Sequence, residues 1–150
     1  MDLGPTPEKS LTIILLLDQL SRNTMRGPET PFVWTKCDPV SIQFAHHCIK
    51  QGLDKSHPPH KQFWYYMPLS HSESLADQEL SVAKNLTLLW ELRQTQWKEF
   101  HPIISEGLDD NLDFYKIIKQ FGRFPNRNVL LNREMTEQEQ KFLDEGGWKF

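Results

Sequence analysis

The sequence predicts an all-α protein, and three observations support this. Apolar residues recur at helical spacing in several segments, proline and N-capping residues precede those segments, and no segment shows the sustained alternation of a β-strand. The connections are short, which favours antiparallel neighbours in a helical bundle or a set of helical hairpins. A chain of 150 residues is most simply one domain, so we expect residues 1–150 to form a single helical domain.

The first two helices are predicted from capping residues and apolar patterns. A helix over about residues 7–20 is apolar on nearly every face, which indicates a central position shielded on most sides. The turn-forming residues after it predict a long connection. Asp38 as N-cap and Pro39 at the first helical position then start a second helix over about 39–51, which ends at Gly52.

The two middle helices are bounded by a proline and by polar capping residues. A short third helix over about 59–67 should end before Pro68, because proline disfavours helical geometry in the preceding residue. Ser74 and Asp77 have the spacing of a capping box at the start of a long fourth helix. The predicted buried stripe of that helix consists of Leu75, Val82, Leu86, Leu89 and Arg93.

The last two helices are predicted after a break. The segment HPIISEGLDD is interpreted as that break, after which Asp109 or Asp110 caps a fifth helix that Gly122 closes. Its expected buried face consists of Leu112, Tyr115, Ile118 and Phe121. Thr136 and Glu139 form a full capping box for a short final helix.

Charge, hydropathy and cysteine content exclude several classes of function. A net charge of −3 without a cluster of basic residues argues against nucleic acid as a partner. The longest apolar run, LTIILLL, is far shorter than the roughly 20 residues of a membrane span. Cys37 and Cys48 are expected to be reduced, which points to the cytoplasm or nucleus. The histidine pairs lack a third ligand and no glycine-rich phosphate loop is present, so we predict no metal and no cofactor.

Three polar segments, LDQLSRNTMRG, YYMPLSHSESLADQE and FGRFPNRN, carry the candidate site residues. If these segments meet in space, their arginines could grip a carboxylate or phosphate, and His71 could act as an acid or base. The candidate ligand-binding residues are Arg22, Asn23, Arg26, His71, Glu73, Arg123, Arg127 and Asn128. The structural alternative is that the arginines bind carbonyl groups at helix ends and pair with Asp18, Glu73 or Asp77. No catalytic residue is assigned.

These segments also resemble a known family. In order and spacing, they are similar to the signatures of the domain of unknown function 924 family over about residues 11–143. The resemblance implies a tetratricopeptide-like fold, mostly of antiparallel helix pairs, and no established activity. The sequence departs from the usual pattern at Leu20 and Ser21, where Phe-Pro is common, and at Asn126, where histidine is common. Family members usually carry an aromatic-rich helix before the first signature, so we expect a chain without it to dimerise or behave poorly alone.

Two classes of function remain open at this point. One is a cytoplasmic, non-enzymatic helical scaffold that binds a protein segment or a small ligand in a groove between helix pairs. The other is an enzyme or small-anion binder that uses the arginine, histidine and glutamate cluster. The burial of the polar side chains distinguishes these two classes of function. Side chains that saturate one another below the surface favour a structural role, whereas convergence on an open pocket favours a binding site.

Overall fold

The structure is a computed structural model that describes residues 6–147. Helices and turns account for this range, and no β-strand occurs within it. The predicted all-α class is therefore confirmed. Within the same residues, no helix is both long enough and apolar enough to cross a membrane.

The first helical run is longer and more exposed than predicted. It comprises α1 (Pro7–Ile14), a π-helical segment (Leu15–Leu20) and α2 (Ser21–Thr24), without a break between them. Leu16 and Leu20 are each 51% exposed, so the expectation of a helix shielded on most sides is wrong. The reason is that this run packs mainly on α4 (Asp38–Lys50) and α5 (Pro59–Ser70), which cover one side of it. The buried side of the whole run consists of Ser10, Ile14, Asp18 and Ser21.

The predicted long connection is in fact largely helical. A 3₁₀ turn (Gly27–Glu29) leads into α3 (Thr30–Phe32), which continues as a second π-helical segment (Val33–Cys37). Pro28 and Pro31 suggested a loop, but both lie in the first turn of their helical segments. Proline is tolerated there because its missing N–H has no intrahelical partner in any case.

The next two helices form a packed pair. Helix α4 (Asp38–Lys50) begins at Asp38, whose side chain makes no capping bond, and the chain turns at Gly52 with a φ of 71°. Helix α5 (Pro59–Ser70) does not end before Pro68 as predicted. Pro68 lies in the last turn of α5, where it forfeits only one helical hydrogen bond.

Helix α6 (Leu75–Leu92) begins where predicted but is capped differently. The Ser74 side chain makes no capping bond. Instead, the Ser72 hydroxyl accepts from the Ser74 backbone N–H at 3.1 Å and donates to Asp77 at 2.6 Å. The predicted buried stripe is also wrong, since Leu86 is 53% exposed. The buried face consists of Gln78, Ser81, Asn85, Leu88 and Leu92.

Helix α7 (His101–Phe121) runs through the segment that the sequence predicts to be a break. Pro102 lies in its first turn, where proline is favourable. Gly107 lies inside α7 against α5, and a Cβ atom there would be 2.6 Å from Cζ of Phe63. The glycine therefore permits close helix packing and does not end the helix. Gly122 closes α7 in a left-handed conformation with a φ of 70°, as predicted.

The capping box of α8 (Glu137–Asp144) is confirmed. The Thr136 hydroxyl accepts from the Glu139 backbone N–H at 3.2 Å, and the Glu139 carboxylate accepts from the Thr136 backbone N–H at 2.8 Å.

Helix α5 lies at the centre of the packing, in contact with α1, α4, α6 and α7. Short connections join packed consecutive helices, which makes them antiparallel neighbours. The main core consists of Ile14, Ala45, Cys48, Phe63, Tyr65, Tyr66, Leu69, Leu88, Leu92 and Ile104. A smaller core consists of Phe114, Ile117, Ile118 and Phe124, and it anchors the turn that follows α7.

Candidate functional site

The eight predicted ligand-binding residues are distributed over several local networks. Arg22, His71 and Arg127 surround two buried carboxylates. Glu73 and Asn128 both bind Arg133, which the sequence analysis did not single out. Arg123 binds Glu139, and Asn23 and Arg26 lie with Arg22 on the wall of an open cavity.

Asp18 is the centre of the first network. It is fully buried on the first helical run, and Nδ1 of His71 lies 2.7 Å from its Oδ1. Nε of Arg22, one helical turn further on, lies 3.4 Å from the same oxygen. Burial raises the pKa of Asp18, but His71, followed by Arg22 and Gln19, outweighs it and lowers that pKa to about 2. Asp18 is therefore ionised and can only accept, so His71 donates a hydrogen bond to it from Nδ1–H.

Asp38 is the second buried carboxylate of this network. Arg22 donates from Nη2 to Oδ1 of Asp38, so a single guanidinium bridges Asp18 and Asp38. Nη1 of Arg127 lies 3.9 Å from the other oxygen of Asp38. The prediction that Arg127 pairs with Asp18, Glu73 or Asp77 is therefore wrong, because its partner is Asp38. The sequence around Asp38 predicts only the start of a helix, because a local pattern does not reveal a partner 16 positions away.

Arg127 is held from several sides. It is 4% exposed, and its Nη2 donates to the backbone carbonyl of His71 at 3.0 Å. Its guanidinium carbon lies 4.4 Å from the ring centre of Phe124 and 5.3 Å from that of Trp34. Burial lowers the pKa of Arg127 to about 10, against the opposing effect of Asp38. At neutral pH the side chain remains a buried cation behind Trp34.

Glu73 fixes the FGRFPNRN turn to the start of α6. Its carboxylate accepts from the Phe124 backbone N–H at 2.8 Å and from two nitrogens of Arg133 at 2.7 and 3.0 Å. Burial raises the pKa of Glu73, but the bonds from Arg133 and Phe124 outweigh it and lower that pKa. Nε of Arg133 also donates to Asn128 at 2.9 Å. Glu73 and Asn128 thus act together as structural ties in this structure.

Arg123, next to Phe124, ties the same turn to α8. It donates to both carboxylate oxygens of Glu139, at 2.6 and 2.8 Å, and to the backbone carbonyl of Glu134 at 2.7 Å. Arg123 is the main cause that lowers the pKa of Glu139 to about 2, and bonds from Thr136 contribute. The two residues connect the turn after α7 to the capping box of α8.

One open cavity, of about 420 Å³, lies where α2 meets the second π-helical segment. It is lined by Arg22, Asn23, Met25, Arg26, Gly27, Thr30, Val33 and Trp34. Arg26 is exposed and donates from Nη2 to Oδ1 of Asn23 at 3.2 Å. Three of the predicted ligand-binding residues therefore line this cavity together with the apolar side chains of Met25, Val33 and Trp34.

The comparisons with known proteins agree with the helical fold and the polar segments. The model of the family described as "Bacterial protein of unknown function (DUF924)" matches residues 2–147. This chain belongs to the DUF924 family. Its structure is similar to that of the protein of unknown function ATU0120 from Agrobacterium tumefaciens, with a TM-score of 0.72 and 31% sequence identity. The match covers 94% of this chain and 70% of that one. No curated protein matches the sequence significantly.

In this DUF924 protein, His71 and the buried carboxylates of Asp18 and Asp38 do not themselves line the cavity. His71 is 6% exposed, faces Asp18 and does not line the cavity. Within residues 6–147, no three histidine, cysteine, aspartate or glutamate side chains converge as metal ligands would. The cavity itself offers guanidinium and amide donors beside apolar side chains, an arrangement suited to binding.

Proposed function

We propose that this DUF924 protein is a helical scaffold that binds a small anionic ligand in the cavity between α2 and Trp34. The observation that supports it is that Arg22, Asn23 and Arg26 line the same cavity. Both sides of the cavity adjoin π-helical segments, which are rare and frequently occur at functional sites. The proposal involves no acid or base, because His71 is buried against Asp18 away from the cavity.

The scaffold part of the proposal draws on the helix arrangement. The consecutive packed helices α4, α5, α6 and α7 support a tetratricopeptide-like architecture, in which helix pairs present concave binding surfaces. We place the protein in the cytoplasm, with the nucleus as the alternative. The free thiols of Cys37 and Cys48 support a reducing compartment.

A thermal-shift screen of small anions tests the binding proposal. A ligand at about 100 times its Kd should stabilise the wild type by about 2.7 kcal/mol. Arg26→Gln should reduce this shift to about 1.4 kcal/mol, the value for a tenfold weaker Kd at the same ligand concentration. Because Arg26 is exposed, its replacement leaves the buried network intact. Arg93→Gln, at an exposed arginine outside the cavity, is the matched control and should keep the shift.

Two outcomes contradict binding at this cavity. One is a screen in which no anion stabilises the wild type. The other is a ligand whose shift survives Arg26→Gln unchanged. Arg123→Ala should melt lower than the wild type and still respond to the ligand, because Arg123 binds Glu139 and lies outside the cavity.

A second candidate function is self-association through the outer face of the first helical run. Ile13, Leu16 and Leu20 are 39%, 51% and 51% exposed, and their spacing places them on one side of the helix. Asp18, the one charged residue from position 10 to position 21, is buried, so no charge interrupts this face. We propose that a second copy of the chain covers it in a two-fold symmetric contact, in which one patch is its own complement.

Light scattering over a concentration series tests the self-association. The wild type should dimerise, and Leu16→Glu should give a monomer whose circular dichroism spectrum shows unchanged helix content. Ile103→Glu is the matched control, since Ile103 is 58% exposed on α7, and it should leave the dimer intact. A wild type that stays monomeric at every concentration contradicts the proposed contact.

A further inference from the structure

The charged groups at the cavity do not balance. Two guanidinium groups, those of Arg22 and Arg26, line the cavity. Three more charged groups contact lining residues from behind: the carboxylates of Asp18 and Asp38, which bind Arg22, and the guanidinium of Arg127, which lies over Trp34. The guanidinium groups exceed the carboxylates by one positive charge. Glu29, the acid on the adjoining turn, does not line the cavity, and it is exposed, so solvent screens its charge. A monoanion would balance the excess, whereas a dianion would add negative charge near two buried carboxylates.

The donors that remain at the cavity have a particular geometry. Arg26 uses Nη2 for Asn23, and within the described residues its Nε and Nη1 bind no acceptor. Arg22 uses Nε for Asp18 and Nη2 for Asp38, which leaves its Nη1 without an acceptor in the same part of the chain. A planar guanidinium fork matches the two coplanar oxygens of a carboxylate.

Part of the cavity lining is apolar. It consists of Met25, Val33 and Trp34, of which Val33 is only 1% exposed. The guanidinium of Arg127 lies over the Trp34 ring and helps to hold it in position. A volume of about 420 Å³ is at the small end of the usual range for ligand sites, about 300 to 1,000 Å³. The ligand must therefore be compact.

From these observations we infer that the ligand is a small monocarboxylate with a compact apolar body. The body packs on Met25, Val33 and Trp34, and the carboxylate reaches the remaining donors of Arg26 and Arg22. This inference rests on the proposed function and names the chemical class of its ligand.

Titration calorimetry with four related probes tests the inference. Phenylacetate carries both features of the ligand, phenylacetamide lacks the charge, acetate lacks the apolar body, and benzylphosphonate at pH 8.5 carries a second charge. Phenylacetate should bind at least about tenfold more tightly than each of the others. A charge-assisted hydrogen bond and a buried ring each contribute about 1.4 kcal/mol or more to the binding free energy, which corresponds to a factor of ten in Kd.

Variants locate the binding. Arg26→Gln should weaken phenylacetate about tenfold and leave phenylacetamide unchanged, because only the charged contact is lost. Trp34→Leu should weaken both phenyl compounds, because it reduces the apolar wall. Arg93→Gln should affect none of the probes. Circular dichroism of each variant, run alongside, separates a loss of binding from a loss of fold.

The results distinguish failure of the inference from failure of the proposed function. Tighter binding of benzylphosphonate that Arg26→Gln abolishes would overturn the monocarboxylate class but leave an anion site at the cavity. Equal binding of phenylacetate and phenylacetamide would overturn both, because charge would then play no part. Absence of phenylacetate binding, together with another anion that stabilises the wild type through Arg26, would overturn the inference alone.

Discussion

Replacing Asp18 with asparagine isolates the contribution of the buried carboxylate network. Asparagine retains the size of the side chain and one acceptor oxygen but removes the charge that His71 and Arg22 bind. The pKa of Asp18 falls from an ordinary 3.8 to about 2. At about 1.4 kcal/mol per unit of pKa, this corresponds to about 2 kcal/mol of folding free energy at neutral pH.

The sign of the pH dependence follows from the lowered pKa. Because the folded-state pKa of Asp18 lies below its unfolded value, its contribution is complete above about pH 4 and declines as the pH falls toward 2. The wild type should therefore exceed Asp18→Asn in stability by about 2 kcal/mol at pH 7. The difference should shrink steadily below pH 4.

Urea unfolding followed by circular dichroism at pH 7, 5, 4 and 3 measures this difference. The matched control is Asp113→Asn, which removes a carboxylate that is 50% exposed and paired with Lys116. Such a surface pair contributes at most about 1 kcal/mol. A cost for Asp18→Asn below about 0.5 kcal/mol at pH 7, or a cost that is equal at pH 7 and pH 3, would refute this account of Asp18.

Three further substitutions test individual packing and capping contacts. Gly107→Ala should lower the free energy of unfolding by about 1 to 3 kcal/mol in urea, because the added Cβ would lie 2.6 Å from Cζ of Phe63. This cost should exceed the gain from the higher helix propensity of alanine. A neutral result would mean that α5 and α7 separate readily. Thr136→Ala should cost about 1 kcal/mol by loss of the α8 cap, and Thr136→Ser should restore most of it. Tyr66→Phe removes a 2.7 Å bond to the buried carboxylate of Asp54 and should cost about 1 to 3 kcal/mol, so an unchanged melting curve would contradict that bond.

The sequence predicts best those features that depend on neighbouring residues. The capping box of Thr136 and Glu139 and the closure of α7 at Gly122 both follow from local chemistry, and both are confirmed. The start of α6 is also correct, although Ser72 rather than Ser74 supplies the side-chain oxygen.

Apolar periodicity fails where the buried face of a helix is polar. Three of the five buried residues of α6 are Gln78, Ser81 and Asn85, so the aliphatic residues indicate the wrong side. Asn111 on α7 donates to the Ser81 hydroxyl at 2.8 Å, and Gln78 donates to two backbone carbonyls before α6. A hydrophobic pattern contains no information about such bonds, because their partners lie on other elements.

At the candidate site, too, local sequence patterns do not reveal partners that lie far apart in the chain. The sequence identifies its arginines correctly as a polar cluster, but their partners depend on the tertiary structure. Arg133 meets Glu73 across 60 positions of the chain, and Arg22 meets Asp38 across 16. Neither separation leaves a periodic signal. The cavity is formed partly by residues 27–34, which the sequence analysis interpreted as a connection.

The two π-helical segments give the cavity some tolerance to changes in chain length. Leu15–Leu20 precedes Arg22, and Val33–Cys37 contains Trp34 and precedes Asp38. A π-helical turn, closed by i→i+5 bonds, holds about one residue more than an α-helical turn. Deleting one residue from either segment would therefore relax it to an α-helix and leave the later side chains pointing in nearly the same directions. The same deletion in an α-helical turn of these runs has no such compensation and would rotate every later side chain by about 100°. The cavity can thus lose a residue at the π-helical segments more easily than in the α-helices beside them.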